Sequence, residues 1–105
     1  MQYVYPAIFR KDKDLQETYS VEFPDVEGAV TQGKTLFEAI KMAEDVLNLM
    51  LVEWEDSKKS GAPIANKIKT PSPIDKVVAE PDEFSSAAFV NLITADTDAY
   101  RKILA

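Results

Sequence analysis

The strongest constraint on the fold is the run TLFEAIKMAEDVLNLMLVEW, which begins at Thr35. Thr35 followed by Glu38 is a capping box, in which each side chain satisfies an otherwise unpaired amide of the first helical turn. Beyond it Leu36, Ile40, Ala43, Leu47, Met50 and Trp54 recur at steps of four and three. At about 100° per residue they form one apolar stripe, widened by Ala39, Val46 and Leu51. The spacing predicts a helix from about Leu36 to about Ser57, and a stripe of that length must be buried against another layer. Each large side chain buried there contributes at most roughly 1.5–3 kcal/mol.

The residues before the helix supply that layer. QYVYPAIFRK is rich in β-branched and aromatic residues, with Tyr3, Tyr5, Ala7 and Phe9 on one face at period two, and is predicted to be a core-lining strand. Pro6 cannot donate to a ladder, which argues for an edge strand or a bulge. KDKDLQE is a charged hairpin loop. TYSVEF alternates, with Tyr19, Val21 and Phe23 on one face and Thr18, Ser20 and Glu22 on the other, as a half-buried antiparallel strand does. PDVEG is a turn: Pro24 fixes φ, Asp25 can bond its own backbone two residues on, and Gly28 can take a positive φ. AVTQ, closed by Gly33, is a short third strand and completes a meander.

Residues 58–86 hold Pro63, Pro71, Pro73 and Pro81 and little periodicity. They read as an extended connection held to the domain by Ile64, Ile68, Ile74 and Val77 or Val78. A connection this long belongs in a compact domain only if it covers something. SAAFVNLITAD has few polar positions and reads as a fourth strand, centred on 87–95, with both faces covered. Residues 96–105 begin a short helix or a linker. The order is β-β-β-α-loop-β, an α+β fold, and 105 residues accommodate one domain.

The chemistry available is narrow. The chain has no Cys and no His, which removes disulfides, thiolate metal sites, Cys nucleophiles and the usual general base near neutral pH. Ser57, Ser85 and Ser86 therefore lack a His to activate them. Gly28, Gly33 and Gly61 sit at turns or ends, so there is no Gly-rich phosphate loop. Residues 1–56 carry 5 Lys/Arg against 12 Asp/Glu, a net of −7, whereas residues 57–105 carry 7 against 6, a net of +1. Such a field disfavours direct binding to nucleic acid or anionic membrane and steers basic partners inward. No stretch approaches transmembrane length and no basic patch precedes an apolar run, so the cytoplasm is the simplest compartment.

The carboxylates Glu22, Asp25 and Glu27 flank the first turn, with Glu22 outward on the second strand. A two-metal nuclease needs several carboxylates converging from strand centres, and the first strand supplies none in its interior. Asp25 fits a turn former, and charge clusters are most often solvated faces. Phe37, Leu49 and Val52 project outside the helix stripe, where they are either covered by the proline-rich segment or anchor an interface.

Tyr5-Pro6-Ala7, the strand end Tyr19-Ser20-Val21-Glu22-Phe23-Pro24-Asp25, Gly28, Thr31-Gln32-Gly33 and the helix start Thr35-Leu36-Phe37-Glu38-Ala39 occur in one order over residues 3–54. This pattern resembles the N-terminal domain of HicB-type antitoxins. The resemblance implies a partial RNase H-like β-β-β-α-β fold without nuclease activity, cofactor or metal. It also implies binding to a cognate HicA-type toxin, a small basic RNase. Toxin-contact candidates are Glu22, Phe23, Asp25, Glu27, Leu49, Val52 and Glu53, and a homodimer is compatible with the pattern. Family members usually add a C-terminal DNA-binding domain that represses their own operon. This chain ends at Ala105 without one, so operator binding is expected only of a longer protein. A divergent RNase H-like nuclease and a non-catalytic ligand-binding or oligomerisation module are the alternatives.

Overall fold

The computed structural model describes residues 1–15, 17–61, 63 and 67–104. It contains β1 (Gln2–Asp12), β2 (Tyr19–Glu22), β3 (Val30–Gly33), α1 (Leu36–Ser60), a 3-10 turn (Ile74–Lys76), β4 (Ser85–Asp96) and α2 (Thr97–Leu104). The sheet order is β3-β2-β1-β4, and every neighbouring pair is antiparallel. The expected α+β meander with one long helix is therefore present.

The pleat sends alternate side chains to opposite faces, so residues paired across strands share a face. Tyr5 pairs with Ile93, Tyr3 with Ala95 and Phe9 with Val21. These residues form the inner face, where Tyr5, Ala7, Phe9, Val21, Ile93 and Ala95 pack with Ala39, Ala43, Leu47 and Leu51 of α1. Pro6 lies in a strand flanked on both sides rather than at a sheet edge. Its missing donor is tolerated because β2 pairs only with Ile8–Lys11, which leaves β4 alone beside β1 at Pro6.

The Thr35 half of the α1 capping box is present: Thr35 is extended and its hydroxyl accepts from the Glu38 amide at 3.1 Å. The helix runs to Ser60, three residues beyond the predicted end, and stops at Gly61 with φ 73. The small residues Ala39 and Ala43 let it lie close to the sheet. A Cβ on Gly33 would come within 2.3 Å of the Ala39 amide nitrogen, so that glycine is required by helix–strand approach. Leu36 lies on the stripe but in its first turn, and it stays exposed.

The proline-rich connection is sewn to the β2–β3 turn. Val26 bridges Ile68, the Glu27 amide donates to the Lys67 carbonyl, and the Lys69 amide donates to the Asp25 carbonyl. Tyr5 Oη donates to the Lys69 carbonyl at 2.7 Å, which closes this end of the core. Ile68 packs on the core and Val77 is half-buried, whereas Ile74 and Val78 face solvent. Ile64 lies outside the described residues. Farther on, Arg10 Nε donates to the Glu80 carbonyl and the Lys13 amide to the Phe84 carbonyl, which leads the chain into β4.

One further expectation needs correction. β4 does not have both faces covered: it ends the sheet, and Asn91, Leu92 and Thr94 are exposed. Its low polarity comes partly from small residues that need no cover, Ala87 and Ala88 among them. Of the two readings of the chain's last residues, a short helix or a linker, the helix is present over residues 97–104, and α2 docks on α1.

Candidate functional site

The seven contact candidates do not form one surface. Glu22 and the β2–β3 turn belong to the sheet, and Glu22 points away from α1, where Arg10 pairs with it. Leu49, Val52 and Glu53 belong to the helix on the sheet's other face.

Phe23 and Asp25 are interior. Phe23 belongs to the core, and the Asp25 side chain is 6% exposed. Its carboxylate accepts from the Ser72 amide at 2.8 Å and from Ser72 Oγ at 2.6 Å, across 47 residues of chain. The turn itself is closed by backbone bonds, Phe23 N to Ala29 O and Val26 N to Phe23 O, with Gly28 at φ 87. The carboxylate is thus free to pin the proline-rich segment, where a local Asx bond was expected. Glu27 remains exposed on the turn.

Val52 is also buried, at 7% exposure, although it projects outside the core stripe. From α2, Tyr100 Oη donates to Asp45 at 2.9 Å, and Arg101 bonds Glu55 at 3.0 Å and Asp56 at 2.9 Å. On the helical projection Val52 falls between these anchors. Glu55 is the hub of the strap: Tyr3 Oη, Thr97 Oγ1 and Arg101 all donate to its carboxylate. Burial alone would raise the Glu55 pKa, but the bonds from Tyr3, Arg101 and Thr97 prevail and hold it below the usual carboxylate range. Burial first, and then the Glu55 charge, push the Tyr3 phenol well above its ordinary value.

A solvent-facing strip on the far side of α1 runs beside α2 and shares Asp45 and Asp56 with its anchors. Projected at about 100° per residue, Glu38, Met42, Asp45, Leu49, Glu53 and Asp56 fall within one third of the circumference. Ala43 and Leu47 of the core stripe lie opposite. Leu49 is 40% exposed and Met42 41%, both flanked by carboxylates. Phe37 is 74% exposed beside this strip, with Lys41 Nζ 5.6 Å from its ring. Leu49 and Glu53 were legible from the helical projection, and Met42 was available to the same projection. Ser72, Tyr100 and Arg101 were not, because their partners lie far away in sequence. Among the described residues, no three Asp or Glu side chains converge to hold a metal ion, and no helix is long and apolar enough to cross a membrane.

A four-stranded antiparallel meander backed by one long helix, with an acidic and partly apolar outer helix face, defines an α+β domain of distinct outline. Residues 5–102 match the family model described as the HicB_like antitoxin of bacterial toxin-antitoxin system, and the chain belongs to that family. Solved structures agree. A chain of a toxin–antitoxin complex from Streptococcus pneumoniae is similar at 27% identity and a TM-score of 0.69, over 95% of this chain and 73% of that one. A chain of the HicA3 and HicB3 toxin–antitoxin complex shares the fold at 20% identity and a TM-score of 0.58, over 89% and 98%. The N-terminal domain of Burkholderia pseudomallei antitoxin HicB shares it at 22% identity and a TM-score of 0.57, over 89% and 98%. No curated protein matches the sequence.

Proposed function

We propose that the chain neutralises a cognate HicA-type toxin by docking the Met42–Leu49–Glu53 strip of α1 onto the toxin's basic surface. Family membership and the likeness to chains from toxin–antitoxin complexes support the partner. The observation that carries the surface is Leu49, an exposed apolar side chain set between Asp45 and Glu53 on a rigid helix. Carboxylates steer a basic RNase inward and exclude wrong partners, while a central apolar anchor is where binding energy concentrates. Occupying that surface denies it to RNA, and neutralisation of this kind makes and breaks no covalent bond. Phe23, Asp25 and Val52 serve as supports beneath the surface rather than as contacts. In a longer protein carrying a DNA-binding domain, the same complex would also repress the operon.

The test is titration calorimetry against the cognate toxin. Glu53→Lys and Leu49→Ala are each expected to weaken binding by about 10-fold or more, as disruption of a central interface residue does. Glu22→Lys and Glu27→Lys are expected to stay within about 2-fold, as peripheral charges do. Loss of binding in Glu27→Lys with Glu53→Lys unaffected would move the site to the β2–β3 turn.

A further inference from the structure

α2 is held to α1 through polar groups. Of its described residues only Thr97 is buried, while Ile103 and Leu104 are 78% and 56% exposed. The first turn is tied at Thr97, whose amide donates to the Met1 carbonyl and whose hydroxyl donates to Glu55. Beyond that turn, Tyr100 donates to Asp45, and Arg101 pairs with Glu55 and Asp56. A helix of eight residues does not persist alone, so its hold on α1 decides whether it stays formed.

Two of the carboxylates it uses belong to the docking strip. Asp45 and Asp56 bracket Leu49 and Glu53, roughly 16 Å apart along α1 at the helical rise. α2 reaches both from adjacent positions, Tyr100 towards the start of α1 and Arg101 towards its end. A phenol and a guanidinium from within the chain therefore occupy sites that a basic partner's side chains would take.

We infer that α2 is an internal competitor for the strip: arginines of the toxin take Asp45 and Asp56 from Tyr100 and Arg101, and α2 leaves α1 as the toxin docks. The inference rests on the toxin reading above and adds the regulation of that surface. Charge and shape select the occupant. An incoming basic surface meets Glu38 and Glu53 as well as the two shared carboxylates, whereas Arg101 pairs with Glu55 and Asp56 alone. Arginine fits better than lysine, because a planar guanidinium bonds a carboxylate through two parallel N–H groups. Exchange at this rim costs little, since Asp56 is 58% exposed and ion pairs so exposed are weak. Glu55 keeps Tyr3 and Thr97 as donors when Arg101 leaves, so the first turn of α2 stays tethered. Such a competitor lowers the apparent affinity by the fraction of chains in which α2 is released.

Titration with the cognate toxin, read by calorimetry and by the Cα chemical shifts of Tyr100 and Arg101, tests this. Saturating toxin is expected to move both shifts from helical to coil values. Tyr100→Phe keeps the ring and removes one bond to α1, and it is expected to bind the toxin about 3- to 10-fold tighter. Arg101→Gln is expected to tighten binding by a similar factor, and it stands in for Tyr100→Phe if that variant melts early. Helical shifts retained in the saturated complex would overturn the inference, as would affinities of both variants within about 2-fold of wild type. Weaker binding by both variants would make α2 part of the toxin's footprint instead. In each of these cases Glu53→Lys still weakens binding and the docking strip stands; binding unaffected by Glu53→Lys would overturn both readings together.

Discussion

Asp25 shows how a residue that reads as local becomes a long-range tie. Pro-Asp-x-x-Gly spacing is a turn signature, and the turn is there, but the carboxylate holds Ser72. Replacing Asp25 by Ala removes two charge-assisted bonds at a buried site. The expected loss is about 2 kcal/mol, a melting temperature lower by roughly 10 °C, read by thermal unfolding. Ser72→Ala should reproduce part of that loss, because it removes the hydroxyl bond and keeps the amide bond. The turn was legible because Pro, Asp and Gly act on their own backbone. The tie was not, since nothing in PSP at residues 71–73 announces a partner 47 residues earlier.

At the scale of elements, α1 was the most legible because its cap and its period are local properties. Its burial pattern departed from expectation at Val52, which is buried although it projects outside the stripe. Residues 97–104 carry too few apolar positions to show that they dock, and the docking runs through Glu55, Tyr3 and Arg101. Glu55 has a folded pKa below its ordinary value, so its contribution is present above the usual carboxylate range and is lost as pH falls through the depressed value. Tyr3 has a raised pKa, so its contribution is complete below the usual tyrosine value and is lost as pH rises past it. Glu55→Gln is expected to lower stability at neutral pH by about 2 kcal/mol, the worth of hydrogen bonds to a charged group. It should also flatten the fall in melting temperature between about pH 5 and 3. Melts of both proteins over that range check it; an unchanged acid slope in the variant would remove Glu55 from the hub.

At the scale of the whole molecule, the meander of the first three strands and the acidic first half were legible, because alternation and charge are summed over many residues, whereas the pairing of β4 with β1 was not. The separation of the seven candidate residues was not. A cluster in sequence such as Glu22 to Glu27 carries no information on which side of the sheet it lies relative to Leu49 and Glu53. Once the fold sets them apart, the α1 strip is the face that combines exposed carboxylates with exposed apolar side chains. The docking of a HicA-type toxin on that strip is the central claim. Titrating the isotope-labelled chain with its toxin and mapping the amide shifts tests it most directly. The shifts are expected to concentrate on Met42 to Asp56 of α1, and shifts confined to Glu22–Gly28 or to β4, with α1 silent, would contradict it.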